Sequence, residues 1–300
     1  MYQSYHAILE DVKKRCSSVR VAVVAGANDE HALEAVFAAQ KLGIVKPLLV
    51  GKQEEIEAIL LRQGFANQNY AIKNTKADEN PAAIAVKLIR EGYGDFIIKG
   101  KMETRDLLRP ILNKETGLNK TGFITHFGYM QLKSYHKLLA ISDCAVIPYP
   151  SFDDKVRIIK AGISALHKLG YEKPVIGALC AVETVNEKMP ETIEARKLQE
   201  MSENGEFGEA VVIGPISYDL ATRKESAQIK GYHSPYAGEV DMLLAPQMVT
   251  GNVMSKIWNA DADNILAGCL IGAEAPIVLT SRSASMEEKL NSILLCSRLS

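Results

Sequence analysis

Neither sign of charge is in excess in this chain: 35 lysines and arginines face 36 aspartates and glutamates, a formal net charge of −1. No basic face for nucleic acid and no polybasic patch for anionic lipid is therefore expected, and an anionic ligand must be caught by a few local cations. No apolar run approaches the roughly 18 residues needed to span a bilayer. The start, Met1-Tyr2-Gln3-Ser4-Tyr5-His6, lacks the basic and apolar stretches of a secretory signal. A cytoplasmic protein without a membrane partner is the expectation. The five cysteines are odd in number, widely spaced and contain no CxxC pair, so they read as reduced, mostly buried small hydrophobes. The six histidines never fall at metal-ligand spacing and HExxH is absent, so no metal site is expected. Both G-x-G-x-x-G and G-x-x-x-x-G-K-[ST] are missing. This removes the usual dinucleotide and triphosphate turns and leaves Gly26-Ala27-Asn28-Asp29 as an Asn/Asp-capped strand-to-helix turn.

What is present is a chain of 300 residues with 47% hydrophobic content, above the usual domain length of about 100 to 200 residues, which favours two lobes with a cleft between them. Short β-branched runs alternate with segments of helical period almost throughout, the pattern of parallel strands joined by crossover helices. The first unit is a strand over 19–25 and a helix over 29–42 closed by Gly43 as a left-handed cap. Strands follow at 47–50, 70–73 and 95–98, with helices at 54–63 and 81–91. Near Gly122 the texture changes. Residues 123–127 and 129–132 read as two strands about a turn at Gly128, more antiparallel than crossover in character. Strands at 145–148, 175–181, 210–213, 241–245, 266–271 and 277–279 then alternate with helices at 153–168, 191–204, after Gly214-Pro215, at 252–259 and at 286–296. The expected fold class is α/β, two-lobed and three-layered αβα with mainly parallel sheets. Residues 1–121 plus 272–300 form the first lobe and residues 122–271 the second.

Three strand ends carry polar groups, and the carboxyl ends of strands are where open α/β sheets bind ligands. After residues 95–98 come Gly100, Lys101, Thr104 and Arg109, placing cations and a hydroxyl at a helix start that already favours an anion. The competing reading pairs Lys101 and Arg109 with Glu103 and Asp106 as solvated surface charges. After residues 241–245 come Thr250, Gly251 and Asn252. After residues 277–279 come Ser281 and Arg282, then a helix opened by Ser285-Met286-Glu287-Glu288, an S-x-x-E capping box in which Glu288 would reach back to the Ser285 N–H. Ser281 lacks a G-x-S-x-G elbow and a His/Asp partner at recognisable spacing, so it is a hydrogen-bonding group rather than a nucleophile. His126, in an apolar strand, reads as a satisfied inner histidine rather than a general base.

Taken together, residues 99–112 (KGKMETRDLLRPIL), 181–195 (AVETVNEKMPETIEA), 214–219, 237–256 (AGEVDMLLAPQMVTGNVMSK) and 272–290 (GAEAPIVLTSRSASMEEKL) resemble the phosphate acetyl/butyryl transferase family, most closely its butyryltransferase branch. The resemblance spans most of residues 20–300. It implies reversible transfer of a short-chain acyl group, best matched by butyryl, from coenzyme A to inorganic phosphate in a ternary complex, without a metal, a covalent acyl-enzyme or a tightly bound cofactor. It also implies an isocitrate/isopropylmalate dehydrogenase-like arrangement of lobes, return of the last strand and helix to the first lobe, and a homodimer or higher homo-oligomer.

Position by position, the resemblance makes Ser281 the serine that hydrogen-bonds the reacting centre and Arg282 its adjoining arginine. Arg109 becomes an anion-binding arginine. Glu288 stands where the acetyltransferase branch has an aspartate as base for the thiol. Lys101, Thr104, Gly251 and Asn252 complete the phosphate- and coenzyme-binding set, with backbone N–H groups at Gly100, Gly251 and Asn252 for phosphate and oxyanion. The chain departs from the acetyltransferase branch at Asn259-Ala260-Asp261, where that branch has a further arginine. Two other readings stand beside this one: phosphate acetyltransferase of the same family, and, outside the family's activity, either a metal- and NAD(P)-dependent dehydrogenase or a non-catalytic coenzyme A-binding descendant.

Overall fold

The computed structural model describes residues 2–15, 19–119, 122–281 and 284–300. The chain begins α1 (Tyr5–Arg15), β1 (Arg20–Ala25), α2 (Glu30–Lys41), β2 (Val45–Gly51), α3 (Gln53–Arg62), β3 (Ala71–Asn74), α4 (Pro81–Arg90), β4 (Phe96–Lys99) and α5 (Thr104–Ile111). It continues through β5 (Thr125–Gln131), β6 (Leu138–Ser142), α6 (Phe152–Lys168), β7 (Val175–Leu179), α7 (Pro190–Glu203), β8 (Val211–Ile216), α8 (Tyr218–Thr222), α9 (Lys224–Lys230), β9 (Met242–Leu244) and α10 (Met248–Asn259). It closes with β10 (Ile265–Ile271), β11 (Ile277–Val278) and α11 (Met286–Leu299).

One unit comprises Tyr5–Ile124 and Ala267–Ser300. Its strands stand in the order β3-β2-β1-β4-β11-β10, all parallel except the β11–β10 pair. The chain builds outward from β1 to β3 and then returns to place β4 on the other side of β1. Strand order therefore reverses between β1 and β4, which opens a crevice outside their carboxyl ends. The local signals work as expected in α2: the Asp29 carboxylate accepts the Ala32 N–H at 3.0 Å, and Ala32, Leu33, Val36 and Phe37 are buried. Past its end Gly43 takes the left-handed conformation, φ 76°, open to glycine without a steric penalty. Helix α1 lies outside the elements expected from the sequence, because its charged residues hide a stripe of only three side chains. Tyr5, Ile8 and Val12 nevertheless recur at helical spacing and are buried.

The other unit is Thr125–Leu266 with the N-terminal residues to Ser4. Its order is β5-β6-β9-β7-β8, with β5 antiparallel to β6 and the remaining pairs parallel. Strands β6 and β7 are buried along their whole lengths, as strands covered on both faces must be. Helix α6 opens with a complete capping box, Ser151 and Asp154 each satisfying the other's backbone N–H.

Three sequence expectations change in this unit. Residues 123–132 hold one strand, β5, because Gly128 extends through the sheet opposite Ile141. A Cβ there would meet the Ile141 Cγ2 at 3.2 Å, so its glycine provides room rather than a turn. The strand expected at 145–148 is instead β6, ending at Ser142; the apolar residues after it form a turn whose amides are taken by Asp143. Helix α10 begins at Met248 rather than 252, so Gly251 and Asn252 lie inside it.

Candidate active site

In the unit that holds β1, β4 and β11, the turns at the strand ends are stitched together. Gly100 N–H donates to Ala25 O and Lys101 N–H to Gly26 O, each at 2.9 Å. The backbone approach is so close that a Cβ on Gly100 would lie 2.2 Å from Gly26 O, which leaves glycine as the residue that fits. The Gly100 N–H, expected to face phosphate, is thus spent on the framework. Lys101 is exposed beyond this turn, and its charge, after hydrogen bonds from Lys52 and Asn28, helps hold the Glu55 carboxyl below its usual range.

Thr104 is the first residue of α5 and is exposed. Leu107 and Ile111 anchor the buried face of that helix, leaving Arg105 and Arg109, one turn apart, on an exposed face. Pro110 cannot donate to Asp106 O, the partner a normal residue would have at that position. Asn80 replaces the missing donor: its Nδ2 reaches Asp106 O at 3.2 Å while its Oδ1 caps α4 through Ala82 N–H. The R-P pair is therefore built into the helix without an orphaned carbonyl. Among the described residues neither Lys101 nor Arg109 has an ion-pair partner within 4 Å, so their expected pairing with Glu103 and Asp106 is not found. Arg105 is a further exposed cation that the sequence reading passed over; its only signal was the four-residue spacing to Arg109.

Strand β11 leads to Ser281, which is exposed. Arg282 lies outside the described residues. The Ser285 hydroxyl accepts the Glu288 N–H at 3.0 Å and caps α11. The reciprocal bond from Ser285 N–H to the Glu288 carboxylate is not among the bonds of this cap, in contrast to Ser151 and Asp154. The Glu288 side chain is buried, 8% exposed, and its charge reaches Tyr5, whose hydroxyl is raised by burial first and then by Cys269, Cys296 and Glu288.

At the carboxyl end of β6, in the other unit, Asp143 is 1% exposed and collects five hydrogen bonds. Its Oδ2 accepts from Thr125 Oγ1 at 2.6 Å and His126 N at 2.8 Å, while its Oδ1 accepts from Ala145 and Val146 N at 2.7 Å and Ile147 N at 3.3 Å. Because β5 runs antiparallel to β6, the start of β5 returns to this same end. His126 Nδ1 lies 3.0 Å from Cys144 Sγ, and Asn252 Nδ2 donates to Cys144 O at 2.9 Å. Gly251 lets α10 approach: a Cβ there would be 2.4 Å from Asp143 O. Its own N–H turns back to Gln247 O at 3.4 Å. Gly251 and Asn252 thus pack against the turn that carries Cys144, beside His126 of β5, and the amides of Gly100 and Gly251 are engaged within the chain.

Cys144, Cys180, Cys269 and Cys296 are free and buried; Cys16 lies outside the described residues. No helix among the described residues is long and apolar enough to cross a membrane, and no group of three or more His, Cys, Asp or Glu side chains there is placed to hold a metal ion.

Exposed cations and a hydroxyl at the carboxyl ends of parallel strands, beside a reversal of strand order, define an α/β protein equipped to take an anionic ligand. The chain belongs to the phosphate acetyl/butyryl transferase family of acyltransferases: the family model, described as phosphate acetyl/butaryl transferase, matches residues 67–297. It is 38% identical to a phosphate butyryltransferase of Clostridium acetobutylicum over 98% of this chain and 97% of that one. It is 34% identical to a phosphate acetyltransferase of Thermotoga maritima over 91% and 92%. The crystal structure of a branched-chain phosphotransacylase from Enterococcus faecalis superposes with a TM-score of 0.81 at 27% identity, covering 94% of this chain and 99% of that one. The resemblance drawn from the sequence segments is borne out.

Proposed function

We propose that this acyltransferase moves a butyryl or similar short acyl group reversibly between coenzyme A and inorganic phosphate. The observation that carries the reading is the near full-length match to a phosphate butyryltransferase, and the exposed cations of the strand-end turn support it. A phosphate oxygen attacks the thioester carbonyl, the C–O bond forms, and the C–S bond breaks as electrons pass through a tetrahedral oxyanion to sulfur. Arg109, Lys101 and Arg282 hold and orient the phosphate by charge-assisted hydrogen bonds, with Thr104 as a further donor. Ser281 hydrogen-bonds the sulfur. Glu288 passes to the departing thiolate the proton that the attacking hydrogenphosphate gives up and, in the reverse direction, removes the thiol proton and returns it to the leaving phosphate, a role worth about 10² to 10⁴ in rate. Its burial, 8% exposed, supports a carboxylate with a task beyond capping. Coenzyme A acts as a substrate. The isocitrate/isopropylmalate dehydrogenase-like placement of two lobes, their cleft, a cytoplasmic location and assembly as a homo-oligomer belong to the same proposal.

The test is phosphate-dependent release of free thiol from acyl-CoA across the C2 to C5 series. Release fastest with butyryl-CoA is expected. A maximum at acetyl-CoA would move the chain to the acetyltransferase reading, and no release with any member would end the proposal. Glu288→Gln should lower kcat far more than stability, whereas lost stability with unchanged kcat would return Glu288 to a structural role.

A further inference from the structure

We infer that Asn291 is a further positioning residue for acyl transfer: its side-chain amide donates to the Glu288 carboxylate and holds it charged, ready to take the thiol proton. This deepens the acyl-transfer reading and rests on it. Helix α11 runs into the buried apolar stretch Ile293-Leu294-Leu295, and Asn291, in the turn before it, is 8% exposed. Its Nδ2 nevertheless has no hydrogen-bond partner among the described residues. Buried polar groups are almost always paired, because an unpaired donor has given up water for nothing. A position that served packing alone would favour an apolar side chain of the same size.

Glu288 lies three residues earlier, and side chains at that spacing are neighbours on one face of a helix. It too is 8% exposed. A carboxylate so far removed from water is kept charged by donors to its oxygens, and the Asn291 amide has two N–H groups to offer within the same turn. The backbone beneath both side chains is fixed. Ser292 Oγ donates to Glu288 O at 2.8 Å and accepts the Gly268 N–H of β10 at 3.0 Å, so rotation about side-chain bonds is what joins amide and carboxylate. Tyr5 of α1 faces the same charge: burial first, then Cys269 of β10, Cys296 and Glu288, raise its hydroxyl, which therefore stays protonated. Lys289 turns to Ala284 O, Asp11 of α1 pairs with Arg298 at the far end of α11, and the charged groups of α2 are exposed.

With coenzyme A and acyl phosphate as substrates, kcat requires ionised Glu288 and falls as pH drops through its pKa. Loss of a hydrogen bond to the charged form raises that pKa. Asn291→Leu, close in size, should therefore move the acid limb of kcat about one pH unit higher and lower kcat about 10-fold below that limb, with KM for both substrates unchanged. Asn291→Asp sets a like charge beside Glu288 and should move the limb further. Because Asn291→Leu removes an unpaired buried donor, it should unfold at the wild-type temperature or above. Side-chain ¹³C spectra of glutamate-labelled protein, with the Glu288 signal assigned through Glu288→Gln, should show a higher titration midpoint in Asn291→Leu than in wild type. An unmoved acid limb or an unmoved midpoint would overturn the inference, as would a lower unfolding temperature with wild-type kinetics. A wild type that releases no thiol from any acyl-CoA would instead overturn the acyl-transfer reading, and the ¹³C midpoint would still decide whether Asn291 holds the Glu288 carboxylate.

Discussion

The parallel strands of the unit Thr125–Leu266 have a buried aspartate at each end, and the two are satisfied in opposite ways. At the amino ends Asp241 takes a charge partner: Lys137 Nζ is 2.6 Å from its Oδ1, with the two side chains 1% and 2% exposed. The same ammonium donates to Glu239 O at 2.7 Å, and Asp241 Oδ2 accepts the Val175 N–H. One ion pair thereby joins the approaches to β6, β9 and β7. Burial raises the Asp241 carboxyl, and Lys137 opposes that shift. At the carboxyl ends Asp143 takes no cation among the bonds described; four backbone amides and one hydroxyl satisfy it. The difference teaches where charge is spent. Pairing at the amino ends neutralises a carboxylate that is almost fully removed from water. Neutral donors at the carboxyl ends stabilise a turn without a counter-cation.

The largest effect is expected at the turn. Asp143→Ala strands several buried donors at about 1–3 kcal/mol each, so chemical denaturation should show a loss above about 4 kcal/mol, or no folded protein. A loss under about 1 kcal/mol would mean that water or a shifted backbone replaces the carboxylate. Next comes Lys137→Met, which leaves a buried carboxylate uncompensated and should cost about 3–5 kcal/mol. Adding Asp241→Leu should recover much of that loss, and a double-mutant cycle measures the coupling. The single variant also carries a pH signature. A carboxyl whose folded pKa is raised loses stability as pH climbs from its unfolded value, near 3.8, through its folded value. The deficit of Lys137→Met relative to wild type should therefore be larger at pH 7 than at pH 4.

Arg109→Ala probes the opposite kind of charge. With an exposed side chain and no ion pair among the described residues, it should alter stability by no more than about 0.5 kcal/mol while lowering kcat/KM for phosphate by about 10²-fold. Equal activity would remove Arg109 from the phosphate site. The smallest effect is expected at the cap of α6, where the Ser151 hydroxyl is the leading cause that holds Asp154 below its usual pKa. Ser151→Ala should cost about 1 kcal/mol. A depressed carboxyl contributes stability above its unfolded pKa and loses it as pH falls through the folded value. The difference in Tm should thus be present at pH 7 and shrink below about pH 4.

Much of the fold was legible because its signals are local. Asp29 and Gly43 bracket α2 through one side-chain bond and one left-handed residue, and the segments around Lys101, Arg109, Ser281 and Glu288 carried the family in residue types and order. The misreadings have a common cause. Gly128 has the composition of a turn, yet it lies within β5 because its missing side chain fits against Ile141 across the sheet. Residues 145–148 have the composition of a strand, yet the amides of residues 145–147 belong to Asp143.

Sequence alone determined the alternation of strands and helices, the near-balance of charge and the membership of the family, since each depends on neighbours along the chain or on residue types in order. Tertiary structure decided which polar groups are already committed. Only the packed turns reveal that Gly100 and Gly251 are required by close backbone approach, that their amides are taken, that Asn80 completes the helix Pro110 interrupts, and that His126 meets Cys144. Hydrogen bonds join partners 18, 26 or more than 100 residues apart, and no spacing rule within a single chain reaches that far.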